Sequence, residues 1–592
     1  MFKLNNIKIL SIGWHLNSSV CYFNNHKVEF AISEERFTRK KNECNFPIKS
    51  INYILKLYKL SIKDFDAILI TSKFSPYASE LVKSMSQWSV KDYLFQQQQV
   101  WYPRLYNKKK INEARLFYKR VKLDKFKKLL IKKYGLNNLD NNFNKSRKKF
   151  FSEILNFDIN KIHEIDHHTC HHFYSAYQSN LKDKTLSFVV DGYGDGRNAS
   201  IFEFDRNLNY KELFSSDNFQ ICRLYRYMTL VLGMKPNEHE YKLMGLAPYG
   251  NKNRSYLKDI LNIFYSTQKI KGVNVINVNK PKDYYFHFLE KLKCFRFDNI
   301  AYCLQNYVEN FLKKWVQNSI KKFKINNIII SGGASLNVKA NGEILKLNNV
   351  KKINVAGAGS DESLCIGAAI FYAKKNNALS LNGNGGNLYL GNLPGKILSI
   401  NKKKFHLIKY NHKIIVDMLV DKKIIGRCCN FMEFGSRALG NRSVIADPKN
   451  LDAINIINEK IKNRDFWMPF APVILDKYAS KYLKNINKVN QNTIDMTIAF
   501  DTHKISVDHM AAALHPKDKT ARAQILTRQK NADFYDLLNQ FAKKTNRGAL
   551  LNTSFNLHGY PIVNDYKSAL YVFEHTNLDA LILDKNIILK KN

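Results

Sequence analysis

The chain has 592 residues, of which 45 % are hydrophobic, so it is long and apolar enough for two to four folded domains and is not intrinsically disordered. Its net charge is +44. The lysines are spread along the chain beside many Asn and Ile, so we interpret them as a solvated surface and expect no nucleic-acid partner. Nine cysteines without a CxxC pair exclude a zinc ribbon or disulfide framework. With no apolar run of about 18 residues, we expect a soluble, cytoplasmic protein without a membrane span.

One pattern of three short strands occurs twice in the first half of the chain. In each copy a polar loop follows the first strand, and a turn rich in Asn or Asp joins the second and third. Asn suits such turns because it tolerates positive φ. The predicted strands are 7–12, 19–23 and 27–32, then 186–191, 200–204 and 210–214. The repetition predicts a duplicated actin-like ATPase domain, the ASKHA or ribonuclease H-like fold, at residues 1–375.

Two further strands run directly into glycine-containing loops. Residues 328–331 precede Gly332-Gly333, and residues 353–356 precede the loop GAGSDES and an apolar helix that ends near Ala373. Glycines at such junctions let backbone N–H groups approach a phosphate. Ordinary strand–helix packing is the alternative reading.

Three segments complete the predicted organisation. Residues 89–151 are basic and aromatic, with apolar residues at helical spacing and Gly135 as a helix C-cap. We interpret them as a helical insertion packed on the core, with an acceptor- or partner-binding lobe as the alternative. Residues 376–395 are rich in Gly and Asn and predict a linker. Residues 396–592 predict a second α/β domain.

Four histidines lie within six residues, in the segment DHHTCHHFYSAY. Positions 167 and 171, or 168 and 172, would project two imidazoles from one side of a helix, which suits a metal. The spacing leaves the choice between the pairs open. Asp191 ends a predicted strand, and Asp361 stands before a helix, where an N-cap role is the alternative. Histidines with carboxylates suit Fe(II), Mn(II) or Zn(II).

The second domain contains basic and polar residues set among small and apolar ones. Arginine suits bidentate binding of planar anions, and Ser and Asn complete the hydrogen bonds of a phosphate. The candidate anion-binding residues are Arg437, Arg442, Lys462, Arg464, Arg522, Asn552 and Ser554.

These motifs resemble those of a known family, the bacterial O-carbamoyltransferases of nodulation-factor and antibiotic biosynthesis. The matching segments occur in family order along nearly the whole chain. They are EERFTRKK (34–41), HTCHHFYSAY (168–177), VVDGYGDG (189–196), KLMGLAPYG (242–250), SGGASLNVKANG (331–342), GSRALGNRS (435–443), KIKNRDFWMPFAP (460–472) and LNTSFNLHGYPIV (551–563).

The resemblance implies a YrdC-like C-terminal domain that forms carbamoyl adenylate from carbamoyl phosphate and Mg-ATP, with loss of pyrophosphate and phosphate. The N-terminal domain would then transfer the carbamoyl group to a hydroxyl of a small molecule, such as a sugar or another natural product. Aligning Ser175-Ala176-Tyr177 with the family selects His168 and His172 as metal ligands, with Asp191 and Asp361, and Fe(II) as the expected metal. The implied nucleotide-binding residues are Arg39, Lys41, Lys242, Gly245, Gly332, Gly333 and Asn337. The anion-binding residues above would bind carbamoyl phosphate, and a homodimer is possible.

The chain departs from the family pattern at several positions. Leu16 occupies the register of the proposed catalytic histidine, so His15 would serve as base through a shorter loop. Met468 replaces an arginine in the motif RPFAP, Tyr560 replaces a glutamate, and Ser436 a proline. Two alternatives follow, a threonylcarbamoyl-type tRNA-modifying protein and a catalytically degenerate binding or scaffold homologue.

Overall fold

The computed structural model describes residues 4–74, 77–180, 182–381, 385–396, 400–462 and 465–591, without the side chains of residues 460 and 462. Its first sheet has five strands in the order β3-β2-β1-β4-β5. β1 pairs antiparallel with β2 and parallel with β4. The strands are β1 (Ile9–Gly13), β2 (Ser19–Asn24), β3 (Lys27–Ser33), β4 (Ala67–Thr71) and β5 (Ile162–Ile165).

The second sheet repeats this arrangement. Its order is β8-β7-β6-β11-β12, with three antiparallel strands followed by two parallel ones. The predicted duplication is therefore confirmed, since the three-strand motif occupies the same place in both sheets. Its strands are β6 (Thr185–Gly194), β7 (Arg197–Phe204), β8 (Tyr210–Ser216), β11 (Asn327–Ser331) and β12 (Lys352–Val355), and a separate hairpin holds β9 (Gln268–Lys271) and β10 (Asn274–Asn277).

Two helices, His167–Ser179 and Leu364–Lys375, lie between the two sheets. They share one apolar cluster with both sheets, which includes Cys21, Phe173 and Ala368. Because side chains alternate along a strand, Ile329 faces this central layer, whereas its neighbours in β11 face the opposite cluster. Helices cover that outer face at Ile221–Val231, Glu240–Leu246, Leu257–Tyr265, Tyr284–Leu292, Phe297–Phe323 and Val338–Leu345.

The basic insertion packs on the outer face of the first sheet, which confirms the packing interpretation. Phe143 and Phe150 of the insertion share a cluster with Ile12 and Ile70 of the sheet. Gly135 is the C-cap of the helix Lys125–Tyr134, with φ +67°, as predicted. The helices on this side are Glu35–Thr38, Ile48–Tyr58, Ala78–Lys83, Glu113–Phe117, Lys125–Tyr134 and Leu139–Leu155. The first helices of the insertion, Val90–Gln96 and Tyr102–Leu105, instead contact the helices Ile221–Val231 and Tyr284–Leu292.

The third sheet is mixed and has eight strands, in the order β13-β20-β19-β14-β15-β18-β16-β17. It lies beyond the predicted linker, and helices cover both of its faces. The strands are β13 (Phe405–Lys409), β14 (Ile425–Cys428), β15 (Arg442–Ala446), β16 (Ala471–Leu475), β17 (Gln524–Leu526), β18 (Ala549–Ser554), β19 (Ala580–Leu583) and β20 (Asn586–Lys590). The helices are His412–Val420, Asp452–Ile457, Asp476–Tyr482, Lys504–Met510, Ala532–Thr545 and Tyr566–Glu574.

Among the described residues, no helix combines the length and apolar character that crossing a bilayer requires.

Candidate active site

Four potential metal ligands meet where the central helices reach the second sheet. They are His167, His171, Asp191 and Asp361, and their candidate ligand atoms lie within 4.8 Å of one another. His167 Nε2 is 3.1 Å from Asp191 Oδ2, and His171 Nε2 is 3.5 Å from Asp361 Oδ1. Both nitrogens of His171 are buried without a hydrogen-bond partner. A buried imidazole whose nitrogens lack hydrogen-bond partners, beside two carboxylates, fits a divalent cation.

The position of each ligand follows from local structure. Asp166 caps the helix by accepting from the backbone N–H of Thr169, so His167 and His171 lie one turn apart at its start. Asp191 is the last residue of the buried run of β6 and accepts from the backbone N–H of Gly333 at 2.9 Å. The N-cap alternative for Asp361 is wrong, because Ser363 is the N-cap of the helix Leu364–Lys375 and Ser360 that of the short turn before it.

The electrostatics of this cluster favour a cation. Burial alone would lower the pKa of His167, but the hydrogen bond to Asp191 and the charge of Asp361 raise it to about 9. Burial alone would raise the pKa of Asp191, but His167 holds it well below its usual range. His167 Nδ1 lies 2.9 Å from Ser72 Oγ, which leaves Nε2 directed at the carboxylates. A hydrogen-bonded outer nitrogen of this kind orients metal-binding histidines.

The pair selected from the resemblance, His168 and His172, is contradicted by the structure. Both imidazoles contact Ser200 Oγ, at 2.7 and 2.8 Å, and His172 stacks on Phe202 with ring centres 3.9 Å apart. Neighbouring residues on a helix project about 100° apart. His167 and His171 therefore face one side of the helix, and His168 and His172 face another. The alignment on Ser175 selected the pair that faces the core.

His15 faces the ligand cluster despite its shifted place in the sequence. A tight turn, with Asn17 at φ +61° and Ser18 Oγ donating to the carbonyl of His15, forms the loop after β1. The Nδ1 of His15 is 2.9 Å from the carbonyl of Leu16, and its Nε2 is buried without a partner. Burial lowers the pKa of His15, although the charge of Asp361 opposes this. His15 is thus a neutral imidazole with a free lone pair.

One cavity of about 890 Å³ connects this cluster with the third sheet. Its wall on one side includes His15, Asp191 and Asp361, and on the other side Arg437 and Arg522. Ser554, Met468 and Tyr560 also line it. The structure therefore brings together candidate residues that are more than 300 positions apart in the chain.

Several predicted anion-binding residues do not line the cavity. Arg442 is fully buried, and its guanidinium donates to the carbonyls of Cys429, Asn392 and Asn564. Its role is to hold backbone, because a buried guanidinium uses its fixed donors wherever carbonyls surround it. Asn552 is also buried and donates to the Ala438 carbonyl at 3.1 Å. Arg464 and the side chain of Lys462 lie outside the described residues.

The predicted nucleotide-binding residues divide in the same way. Those that line the cavity are Lys41, Gly245, Gly333 and Asn337. Arg39 instead donates to the carbonyls of Pro561 and Ile562, both at 2.7 Å, and Lys242 pairs with Asp465 at 2.9 Å. Gly332 does not line the cavity. Its φ is +82°, and a β-carbon there would approach the Val190 carbonyl oxygen to 2.5 Å.

Four residues that line the cavity were not predicted from the sequence: Glu35, Arg36, Glu362 and His515. Arg36 is 3 % exposed, pairs with Glu35 at 3.1 Å and donates to the Gly435 carbonyl at 2.6 Å. Burial raises the pKa of Glu362 to about 7, helped by the charges of Asp361 and Glu35. His515 Nε2 lies 2.8 Å from the Gly245 carbonyl. The motif EERFTRKK signalled Arg36, but nothing in its pattern distinguished that residue from Arg39.

Comparisons with known proteins match each half of the chain to one family model. The family described as carbamoyltransferase N-terminus matches residues 8–370, and the one described as carbamoyltransferase C-terminus matches residues 416–590. The chain belongs to the carbamoyltransferase family. It is an enzyme of that class, with an α/β fold, and the family resemblance seen in its motifs is confirmed.

Three relatives illustrate the range of this carbamoyltransferase family. The uncharacterized protein MJ1058 of Methanocaldococcus jannaschii is 28 % identical over 99 % of this chain and 100 % of its own length. The nodulation protein NolO of Bradyrhizobium diazoefficiens is 28 % identical over 72 % of this chain and 79 % of its own. The 3'-hydroxymethylcephem-O-carbamoyltransferase of Streptomyces clavuligerus is 24 % identical over 43 % of this chain and 47 % of its own.

Proposed function

We propose that this carbamoyltransferase is an ATP-dependent O-carbamoyltransferase that completes two half-reactions within one cavity. The observation that carries the proposal is the shared cavity itself, which has Arg437 and Arg522 on one wall and His15, Asp191 and Asp361 on the other. Because both sets of residues line one cavity, a reactive carbamoyl intermediate can pass between them without leaving the protein.

The first half-reaction forms the activated carbamoyl group. Carbamoyl phosphate reacts with water to give carbamate and phosphate, and a carbamate oxygen attacks the α-phosphorus of ATP. The new P–O bond yields carbamoyl adenylate, and pyrophosphate leaves. Arg437, Arg522 and Ser554 supply donors for the phosphate of carbamoyl phosphate, because they are cavity-lining residues of the type that binds such groups. The third sheet and its helices would form the YrdC-like domain.

The second half-reaction transfers the carbamoyl group. The acceptor hydroxyl oxygen bonds to the carbonyl carbon, the bond from that carbon to the adenylate oxygen breaks, and AMP leaves. His15 Nε2 takes the hydroxyl proton, which suits its neutral state and unpartnered lone pair. We expect Lys41, Gly333 and Asn337 to hold the adenylate, because they line the same cavity.

His167, His171, Asp191 and Asp361 would hold a divalent metal, because their donor set fits Fe(II), Mn(II) or Zn(II). When bound, the ion would act as a Lewis acid on the carbamoyl carbonyl. The name of the Streptomyces relative describes transfer to the hydroxymethyl group of a cephem. This supports a small-molecule hydroxyl as the acceptor here.

The direct test omits the acceptor. Purified protein is incubated with ATP, Mg²⁺ and carbamoyl phosphate, and pyrophosphate is measured. We expect pyrophosphate release that depends on carbamoyl phosphate, together with an AMP-containing product. Reactions without carbamoyl phosphate serve as the control. Folded protein that releases no pyrophosphate above this control would contradict the proposed first step.

A further inference from the structure

The cavity continues past the ligand cluster to the basic insertion. Its wall there combines residues of the helix Ala78–Lys83, the start of the insertion and the helix Ile221–Val231. We call this part the acceptor lobe and define it by five lining residues, Glu80, Lys83, Trp101, Arg223 and Arg226. Neither half-reaction described above assigns it a ligand.

Two arginines of the acceptor lobe keep their hydrogen-bond donors free within the part of the chain that the structure describes, although both lie near the charge of Glu80. Arg223 and Arg226 lie three residues apart on one helix, so they face the same side. Neither forms a hydrogen bond or ion pair with any residue that the structure describes; Arg226 only approaches the ring of Tyr93, at 6.0 Å. Paired guanidinium groups with free donors, directed into a cavity, are suited to a phosphate.

The acidic groups nearby do not neutralise this pair. Glu80 is bound by Lys83 at 2.7 Å, and Lys83 also contacts Glu113 at 3.1 Å. Burial raises the pKa of Glu240, a cavity residue, to about 7, so much of it is uncharged near neutral pH. The acceptor lobe therefore keeps an excess of positive charge.

The insertion beside the acceptor lobe is far more basic than the rest of the chain. Residues 89–151 contain 18 Lys and Arg against four Asp and Glu, a net +14 in 63 residues. The other 529 residues carry the remaining +30, so the charge density of the insertion is about fourfold higher. None of the charged side chains of the insertion lines the cavity, so they act at longer range by attracting anionic ligands and raising their association rates.

We propose that the carbamoyl acceptor is a hydroxylated compound that carries a phosphate group, and that Arg223 and Arg226 bind this phosphate. The inference rests on the proposed function and deepens it by naming the acceptor class. Trp101 offers an aromatic surface for a sugar ring, with the guanidinium of Arg104 held 5.4 Å from its ring centre. A sugar phosphate and a nucleoside-diphosphate sugar share this chemistry.

Calorimetric titrations can test the proposal without knowledge of the acceptor. Glucose, glucose 1-phosphate and UDP-glucose are each titrated into the full-length protein. Excess carbamoyl phosphate is present to occupy the anion site at Arg437. We expect at least one phosphorylated compound to bind tenfold or more tightly than glucose. Arg223→Gln with Arg226→Gln should remove this preference, whereas the exposed Arg206→Gln outside the cavity should retain it. Tighter binding of UDP-glucose than of glucose 1-phosphate would identify the nucleotide-linked source.

Two results would overturn the proposal: no preference for either phosphorylated compound, or a preference that survives the double substitution. Arg223→Gln alone keeps the test decisive if the double variant is unstable, because Arg223 is exposed and its loss leaves the core intact. That single variant should weaken binding of the phosphorylated compound severalfold. Pyrophosphate release by the unmodified protein needs no acceptor. It therefore shows separately whether the proposed function itself fails.

Discussion

The two faces of the helix His167–Ser179 carry the same residue type and serve different ends. His167 and His171 point at two carboxylates, whereas His168 and His172 point at Ser200 and stack in the apolar layer. The segment 435–443 shows the same division, with Arg437 at the cavity. Its neighbour Arg442 is bonded to backbone. Residue type indicates possible chemistry, but the direction in which the backbone presents a side chain decides its role.

The largest effect, a loss of bound metal, should distinguish two variants in which one or the other histidine pair is replaced by alanine. We expect His167→Ala with His171→Ala to abolish stoichiometric metal, measured by elemental analysis of the purified protein, because two of the four ligands are lost. The matched control, His168→Ala with His172→Ala, should retain metal and lose stability instead, since its hydrogen bonds lie in the core. If the first variant kept its metal and the second lost it, His168 and His172 would be the ligands and our assignment would be wrong.

The two arginines provide the second test. Arg437→Ala should stop carbamoyl-phosphate-dependent pyrophosphate release, with a smaller change in the urea midpoint. Arg442→Ala should lower the free energy of unfolding by about 3 kcal/mol, because several buried carbonyls lose their donor. Urea denaturation and pyrophosphate assays of both variants separate the effects. Equal loss of stability in both would mean that Arg437 also serves the fold.

A pair of glutamates gives the smallest expected effect. Burial would raise the pKa of Glu238, but the charges of Lys41 and Lys235 lower it to about 2, so Glu238 stays ionised at any working pH. The pKa of Glu240 is raised to about 7 by burial, although Asn237 and Arg226 oppose this. As pH rises from 6 to 8, Glu240 therefore gains negative charge beside Arg226. We expect this charge to weaken binding of a phosphorylated sugar by about fivefold.

Glu240→Gln should remove that weakening, whereas Glu238→Gln should retain it with its midpoint at lower pH, because the charge of Glu238 helps to raise the pKa of Glu240. Ionisation of the sugar phosphate itself is common to all three proteins, so titrations at each pH isolate the contribution of Glu240. An identical pH profile in the unmodified protein and the Glu240→Gln variant would show that Glu240 does not titrate beside the ligand.

Much of the fold could be read from the sequence, because its signals are local. The two strand motifs, the junction at Gly332-Gly333 and the C-cap at Gly135 depend on neighbouring residues alone. The site was predicted less completely. His167 and His168 have equivalent spacing to their partners, so only the axial rotation of the helix against the sheets separates them. The buried role of Arg442 depends on carbonyls from three loops, and the pairing of Arg36 with Gly435 joins residues 399 positions apart.

The contact between the central helices has a mechanical consequence. A β-carbon at Gly367 would collide with the carbonyl of Cys170, so the two helices touch through their backbones. One begins at His167 and the other begins just after Asp361. The close helix pair therefore fixes the separation of His167, His171 and Asp361, whatever the first sheet does, and a larger residue at position 367 would spread the metal ligands from a distance.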